Sequence, residues 1–186
     1  MTQNTVIVVG GPAGTGKTTI AELLSAQFAC PFIEGDSLHP PENIEKMSKG
    51  IPLTDEDRWG WLRQLSEEAS EKAISPENKS KICIVLCSML KRVYRSYIKK
   101  SSSEKFPHNE LKFRFLFLHT TFEDLMKRVS GRKGHYMKSD MVKSQYDIME
   151  IPNGDELVAN GGECLAVDTT NKTPEEILRD IINQIN

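Results

Sequence analysis

The stretch Gly11-Pro12-Ala13-Gly14-Thr15-Gly16-Lys17-Thr18 follows the apolar run Val6–Val9 and precedes residues 19–24, which have the pattern of a helix. A strand, a glycine-rich turn and Gly-Lys-Thr opening a helix form the P-loop arrangement. The glycines allow a tight turn whose backbone N–H groups point inward, and the helix N-terminus adds partial positive charge. We therefore predict a site for nucleotide phosphates here.

Two side chains of this stretch are predicted to bind the phosphates and the metal ion. Lys17 would reach the β- and γ-phosphates, and the Thr18 hydroxyl would hold Mg²⁺. The predicted nucleotide-binding residues are Gly11, Pro12, Ala13, Gly14, Thr15, Gly16, Lys17, Thr18 and Thr19. The pattern alone leaves a kinase, a GTPase, an ATPase motor and a binding module open, so the rest of the chain must distinguish them.

Five apolar runs alternate with helical patterns along the chain. They are Val6–Val9, Phe32-Ile33, Ile82–Cys87, Phe113–Leu118 and Cys164–Val167. Near-continuous apolar runs indicate strands buried on both faces, and their alternation with helices indicates a parallel sheet with right-handed crossovers. We predict an α/β fold in three layers, a five-stranded parallel sheet flanked by helices.

Threonines mark the starts of three predicted helices. Thr54, Thr121 and Thr173 are each followed three residues later by an acidic residue, as in a capping box. Residues 99–112 are polar, with a serine run and a proline, and are predicted to form a surface loop before the fourth strand. One domain accounts for residues 1–186.

Composition excludes several classes of protein. The net charge is −2 and there is no basic block, so neither nucleic-acid binding nor membrane binding is expected. The N-terminal residues lack the features of a signal peptide, and we expect a soluble, cytoplasmic protein. The four cysteines have no CxxC spacing, which predicts free buried thiols rather than a zinc site.

Asp36 follows the second apolar run, at the end where ligands of parallel sheets bind. We expect its strand beside the P-loop strand, where the carboxylate can order Mg²⁺ through water and accept the proton of an attacking hydroxyl. A GTPase switch is excluded. Asn171-Lys172-Thr173-Pro174 lacks the final acid of the guanine motif, and Asp57-Arg58-Trp59-Gly60 begins a helix instead of following a strand.

Ordered blocks across roughly residues 7–152 resemble the small P-loop gluconokinases. The matching blocks are Gly35-Asp36-x-x-His39-Pro40, Asn43-Ile44-x-Lys46-Met47, Gly50-x-Pro52-Leu53, Asp55-x-Asp57-Arg58-x-x-Trp61-Leu62, Cys87–Lys91 with Tyr94-Arg95, Arg132–Tyr136, Ser144-Gln145 and Glu150-x-Pro152. The resemblance implies a fold like that of nucleoside monophosphate and shikimate kinases. It also implies phosphorylation of D-gluconate to 6-phospho-D-gluconate with ATP and Mg²⁺, which feeds the pentose phosphate pathway, and commonly a homodimer.

The resemblance also implies a division of roles within the single domain. A helical subregion at about 37–75 would bind the substrate, and a lid at about 128–142 would close over ATP. Arg128 would bind ATP and neutralise the transferring phosphoryl group, which makes Lys17, Asp36 and Arg128 the expected catalytic residues. Arg132 and His135 would contact the substrate from the lid.

The acceptor side can also be interpreted from its residue types. Gluconate is a polyol with a carboxylate, and the planar fork of Arg58 suits a carboxylate. His39 could bond a hydroxyl or the carboxylate, Lys91 could meet substrate or phosphate, and Asp36 would face the reacting hydroxyl. Two alternatives stay open: another small-metabolite kinase, for shikimate or a nucleotide, and a catalytically silent ATP-binding adaptor.

Overall fold

The computed structural model describes residues 3–130 and 139–185. Its strands are β1 Thr5–Gly10, β2 Phe32–Glu34, β3 Ile82–Leu86, β4 Lys112–His119 and β5 Cys164–Asp168. Its helices are α1 Lys17–Phe28, α2 Pro41–Ser48, α3 Asp55–Ile74, α4 Arg92–Lys105, α5 Phe122–Ser130, α6 Ser139–Ile148 and α7 Pro174–Gln184. Within the described ranges, no helix is long and apolar enough to cross a membrane.

The five apolar runs form one parallel sheet in the order β2-β3-β1-β4-β5. The predicted α/β fold is therefore confirmed. The expected position of β2 beside β1 is wrong, because β3 pairs with both and lies between them. Strands that follow one another along the chain are neighbours in most sheets but not in all, so chain order alone does not decide the strand order.

The sheet is buried on both faces. Val6 and Val8 of β1 face one core, which is covered by α3 and α4, while Ile7 and Val9 face the other, which is covered by α1 and α7. All six residues of β1 are buried. This explains why the strand is an unbroken apolar run rather than an alternating one, and it places the P-loop at the end of a strand that is buried throughout.

The capping box predicted at Thr54 is present. The Thr54 hydroxyl accepts a hydrogen bond from the Asp57 N–H at 3.3 Å, and the Asp57 carboxylate accepts one from the Thr54 N–H at 2.8 Å. Lys46 of α2 binds the same carboxylate at 2.8 Å. These contacts define where α3 begins and tie it to α2 directly beside Arg58.

The prediction of a surface loop over residues 99–112 is wrong. α4 continues to Lys105, only residues 106–111 connect it to β4, and Ser101 and Ser102 of the serine run are buried. Serine disfavours a helix interior through its own hydrogen bonding. Here the small side chains allow α4 to pack against α3, and the Ser70 hydroxyl donates to the Ser102 hydroxyl at 2.7 Å.

This buried hydroxyl pair allows a test of the helix packing. Because removing one partner leaves a buried polar group unsatisfied, Ser70→Ala should lower the free energy of unfolding by about 1–3 kcal/mol. The double variant Ser70→Ala/Ser102→Ala should lose less than the sum of the two single variants. Urea unfolding of the four proteins measures both, and additive losses would argue against a direct contact.

Candidate active site

A cleft of about 500 Å³ opens beyond the carboxyl ends of the central strands. Its walls come from the P-loop, the segment after β2, the α2–α3 region, the end of β3 and α6. The lining residues are Ala13, Gly14, Gly16, Lys17, Thr18, Thr19, Glu34, Asp36, His39, Met47, Pro52, Leu53, Arg58, Trp61, Ser88, Met141, Ser144 and Gln145. The volume is in the range of small-molecule sites, and the cleft brings the predicted phosphate and acceptor residues together.

Two glycines explain the shape of the P-loop. Gly11 has φ 121°, and a Cβ there would lie 2.0 Å from the Leu118 carbonyl oxygen, so only glycine lets the loop leave β1 so close to β4. Gly16 has φ 85° and precedes α1, and a Cβ there would meet nothing within 4 Å. The loop is therefore anchored on one side and open on the other, as a phosphate cradle requires.

Lys17 provides the positive charge of the loop. Its ammonium group donates to the Gly11 carbonyl oxygen at 2.9 Å and lines the cleft. Burial lowers the pKa of this ammonium group, and the nearby Asp36 carboxylate opposes the shift. A partly desolvated cation held by a neutral carbonyl is well suited to bind a phosphate anion.

Asp36 lies in a 3-10 turn, Gly35–Leu38, that follows β2. A Cβ on Gly35 would be 1.8 Å from the Leu86 carbonyl oxygen, so the glycine lets the turn press against the end of β3. The Trp61 indole N–H donates to the Gly35 carbonyl oxygen at 2.7 Å. The turn is thus fixed from both sides, while the Asp36 side chain is 57% exposed and faces the cleft.

Arg58 is a buried cation with unused hydrogen-bonding capacity. Its Nη2 donates to the Leu53 carbonyl oxygen at 3.3 Å, and its guanidinium lies 5.0 Å from the Tyr94 ring centre. Its Nε and Nη1 are buried and have no partner among the described residues. Because a buried unpaired cationic group is costly, this arrangement favours an anionic ligand in the adjoining cleft.

His39 is buried and uncharged at neutral pH. Its ring stacks on Trp61 with ring centres 3.9 Å apart and an 18° angle between the planes. Burial is the main reason that the pKa of His39 is lowered to about 4; Asp36 opposes the shift and Arg58 adds to it. The imidazole can therefore supply hydrogen bonds to the cleft but not a positive charge.

Two other predicted residues do not line the cleft in the described part of the chain. Lys91 lies over the Tyr94 ring and binds the Asp55 carboxylate at 3.1 Å. The Arg128 guanidinium donates to the Gly14 carbonyl oxygen at 3.1 Å and the Thr169 carbonyl oxygen at 3.2 Å. Arg128 thus contacts the P-loop backbone, and the ligand contacts expected of these two residues stay predictions.

Most of the predicted lid lies outside the residues that the structure describes. Arg132 and His135 lie outside the described residues. The chain that follows returns to the P-loop, because α6 carries Met141, Ser144 and Gln145 into the cleft wall. The lid assignment at about 128–142 and the contacts of these two residues stay predictions.

Gln145 also lines the cleft, although its place in the sequence predicts no role for it. Its side-chain oxygen accepts a hydrogen bond from the Ala13 N–H of the P-loop at 2.9 Å. The only available signal was its place in the Ser144-Gln145 block. A contact between residues 132 positions apart has no local pattern that could have indicated it.

The described residues contain no group of three or more His, Cys, Asp or Glu side chains suited to a metal ion. Mg²⁺ in phosphoryl-transfer sites uses one or two protein ligands, with phosphate oxygens and water completing its shell. Thr18, exposed at the start of α1, and Asp36 line the same cleft. This donor set fits Mg²⁺ held together with a nucleotide.

Comparisons with known proteins identify relatives of this chain. The family model for shikimate kinase matches residues 13–186. The chain is 41% identical over 185 residues to a "Probable gluconokinase" of Saccharomyces cerevisiae, covering 97% of this chain and 90% of that protein. It is 39% identical over 149 residues to the thermosensitive gluconokinase of Escherichia coli K12, covering 80% and 73%. A crystal structure of a gluconokinase from Sinorhizobium meliloti 1021 superposes with TM-score 0.77 at 38% identity, covering 98% and 91%.

Proposed function

The chain belongs to the gluconokinase family of P-loop kinases, and from this membership we infer that it phosphorylates D-gluconate with ATP, giving 6-phospho-D-gluconate and ADP. The observation that carries the acceptor assignment is Arg58, whose buried Nε and Nη1 have no protein partner in the described part of the chain. It lines the same cleft as Lys17 of the P-loop. A cleft with a phosphate cradle and a guanidinium that keeps two nitrogens without a described protein partner fits ATP and a carboxylate-bearing acceptor.

On the donor side, the P-loop amides and Lys17 would bind the phosphates of ATP. Thr18 would hold Mg²⁺ directly, and Asp36 through water; the ion supplies charge neutralisation at the phosphates. Lys17 would stabilise the negative charge that develops on the transferring group. Arg128 would assist it on lid closure, and its present contact with the Gly14 carbonyl oxygen supports a position at the edge of the nucleotide site.

On the acceptor side, the Arg58 guanidinium would hold the gluconate carboxylate. The C6 hydroxyl would then reach Asp36, which accepts its proton while the hydroxyl oxygen attacks the γ-phosphorus. His39 would bond a hydroxyl between these two ends. Lys91, Arg132 and His135 stay candidate substrate contacts, and the ion pair of Lys91 with Asp55 suggests that it would first have to move.

Arg58→Ala should raise the KM for gluconate by roughly 10- to 150-fold, because a hydrogen bond to a charged group contributes about 1.5–3 kcal/mol. The KM for ATP should change by no more than about threefold. Arg63→Ala is the matched control, since Arg63 lies on the same helix and pairs with Glu104 instead of lining the cleft. Steady-state kinetics with each substrate varied measures both constants. Equal increases for ATP and gluconate would count against carboxylate recognition.

A substrate panel separates the open alternatives. ADP release should be rapid with D-gluconate and slow with shikimate or a nucleoside monophosphate. Turnover of shikimate without turnover of gluconate would contradict the assignment. ATP binding without ADP release for any sugar acid would favour the silent adaptor.

Two further proposals concern the oligomeric state of the protein and the cellular compartment in which it acts. We propose a cytoplasmic homodimer whose product feeds the pentose phosphate pathway, as the resemblance implies. All four cysteines are free and buried, which is compatible with a reducing compartment. Light scattering during gel filtration measures the oligomeric state directly.

A further inference from the structure

Asn43, in the first turn of α2, joins His39 to the start of α3. It is 2% exposed. Its side-chain nitrogen lies 3.1 Å from His39 Nδ1 and 2.8 Å from the Asp57 carbonyl oxygen. No role has been assigned to it so far, although it belongs to the Asn43-Ile44-x-Lys46-Met47 block.

The hydrogen-bond network determines which atoms carry protons. The Asp57 carbonyl oxygen can only accept, so the atom of Asn43 that faces it must be the amide nitrogen. The two hydrogens of that nitrogen then serve one acceptor each, and the second acceptor is His39 Nδ1. A neutral imidazole with an accepting Nδ1 carries its single proton on Nε2.

The protonated edge of His39 faces the reacting end of the cleft. Nε2 lies 4.0 Å from an Asp36 carboxylate oxygen, and the stack on Trp61 fixes the plane of the ring. This separation is too long for a hydrogen bond, so among the described residues Asp36 does not use the Nε2–H, which can donate to a bound ligand. An acceptor oxygen bound between Asp36 and Arg58 would meet this donor.

We propose that Asn43 is a positioning residue that holds His39 in the Nε2–H form, so that His39 donates a hydrogen bond to an oxygen of the sugar-acid acceptor. The proposal rests on the proposed function for the identity of that acceptor. The opposite tautomer would present a bare nitrogen lone pair toward the Asp36 carboxylate and could not donate. Asn43 therefore acts on acceptor binding through His39 and touches no substrate atom itself.

The same contacts couple His39 to Arg58. Asp57 accepts from Asn43 through its carbonyl oxygen, and its carboxylate caps α3 and binds Lys46. Arg58 directly follows Asp57. The proposed hydroxyl donor His39 and the proposed carboxylate ligand Arg58 are therefore both connected to Asp57 at the start of α3. The chain thus holds both substrate contacts in a fixed relation.

The tautomer can be measured without substrate. A nitrogen–proton correlation spectrum of the imidazole rings in the full-length protein distinguishes a protonated from a bare ring nitrogen, and the spectrum of His39→Gln identifies the His39 signals among the four histidines. We expect the proton on Nε2 in the wild-type chain and a mixed population in Asn43→Leu. A wild-type proton on Nδ1 would overturn the proposal.

Steady-state kinetics distinguishes an effect of Asn43 on the His39 tautomer from a purely structural role of Asn43 in α2. Asn43→Leu should raise the KM for D-gluconate by about 3- to 10-fold, as expected for one neutral hydrogen bond, with the KM for ATP unchanged. In a His39→Gln background the same substitution should have little effect, because a glutamine amide carries its donors regardless of Asn43. An equal increase of KM in both backgrounds would show a structural role and contradict the proposal.

A second comparison covers the case in which Asn43→Leu does not fold. His39→Gln keeps an N–H donor near the Nε2 position and His39→Leu does not, so the KM for gluconate should be lower in His39→Gln. Equal constants for these two variants would contradict the donor role. If no sugar acid is phosphorylated at all, the proposed function fails, while the wild-type spectrum still decides the tautomer.

Discussion

Lys17→Ala is expected to lower kcat by about 100- to 1,000-fold, the usual effect of removing one charge-stabilising donor from a transition state. The Lys17 ammonium is partly desolvated and donates to a neutral carbonyl oxygen at 2.9 Å, so its charge acts on bound phosphate with little screening. The measurement is ADP release at saturating ATP and D-gluconate, together with the thermal unfolding midpoint of each protein.

The fold should survive the loss of Lys17. The contact removed is a single hydrogen bond to the Gly11 carbonyl oxygen, and the burial of β1 and α1 does not depend on it. Lys79→Ala removes an exposed lysine that does not line the cleft and serves as the control. A Lys17→Ala protein that unfolds normally and keeps kcat within tenfold of wild type would refute the assignment of the P-loop.

Asp36→Asn should lower kcat by about 100- to 10,000-fold, the range attributed to general base catalysis. The substitution keeps the shape of the side chain but removes the proton acceptor and the negative charge that would order water on Mg²⁺. The KM values for ATP and gluconate should change by only a few-fold, since the role belongs to the transition state. Initial rates measured while each substrate is varied give kcat and both KM values, and so test whether only kcat changes.

The neighbouring carboxylate provides the matched control for Asp36. Glu34 lines the same cleft two residues earlier, at the end of β2. Glu34→Gln changes the charge of this wall equally but removes no proton acceptor assigned to the reaction, so its kcat should fall by less than about tenfold. Equal losses in the two variants would indicate an effect of overall charge instead of a base at position 36.

The fold was largely predictable, because the signals that specify it are local. The strands β1 and β3 are buried on both faces and therefore read as apolar runs, and the turn after β1 needs glycine at positions 11 and 16. The order of the strands was not predictable in the same way. The insertion of β3 between β1 and β2 depends on which crossover passes over which strand, and no residue pattern records that choice.

The serine run at the end of α4 shows where local preference fails. Ser101 and Ser102 would favour a turn in an exposed segment. In the folded chain their small size permits contact with α3, and Ser102 bonds Ser70. Tertiary packing overrides a weak helix propensity, so this error could be corrected only by knowing the partner helix.

The residues of the candidate site were likewise predictable in part. Motif positions predicted that Lys17, Asp36, His39 and Arg58 act together, and the structure brings these four into one cleft. Lys91 and Arg128 contact Asp55 and the Gly14 carbonyl oxygen in this structure, and their expected ligand contacts stay predictions. The contact of Gln145 with Ala13 had no sequence signal, since it joins distant positions.

Residue order alone was enough to specify the phosphate loop, the strands and the resemblance to gluconokinases, because backbone conformation and apolar burial along a strand depend on neighbours a few residues away. The protonation and hydrogen bonding of the P-loop and cleft side chains depend on groups that folding brings close to them. The unpaired nitrogens of Arg58, the lowered pKa values of Lys17 and His39, and the proton position that Asn43 imposes arise from burial and hydrogen-bond partners that exist only in the folded chain. The proposed phosphate cradle of Gly11–Thr18 is therefore a property of the sequence, and the proposed acceptor site opposite it is a property of the fold.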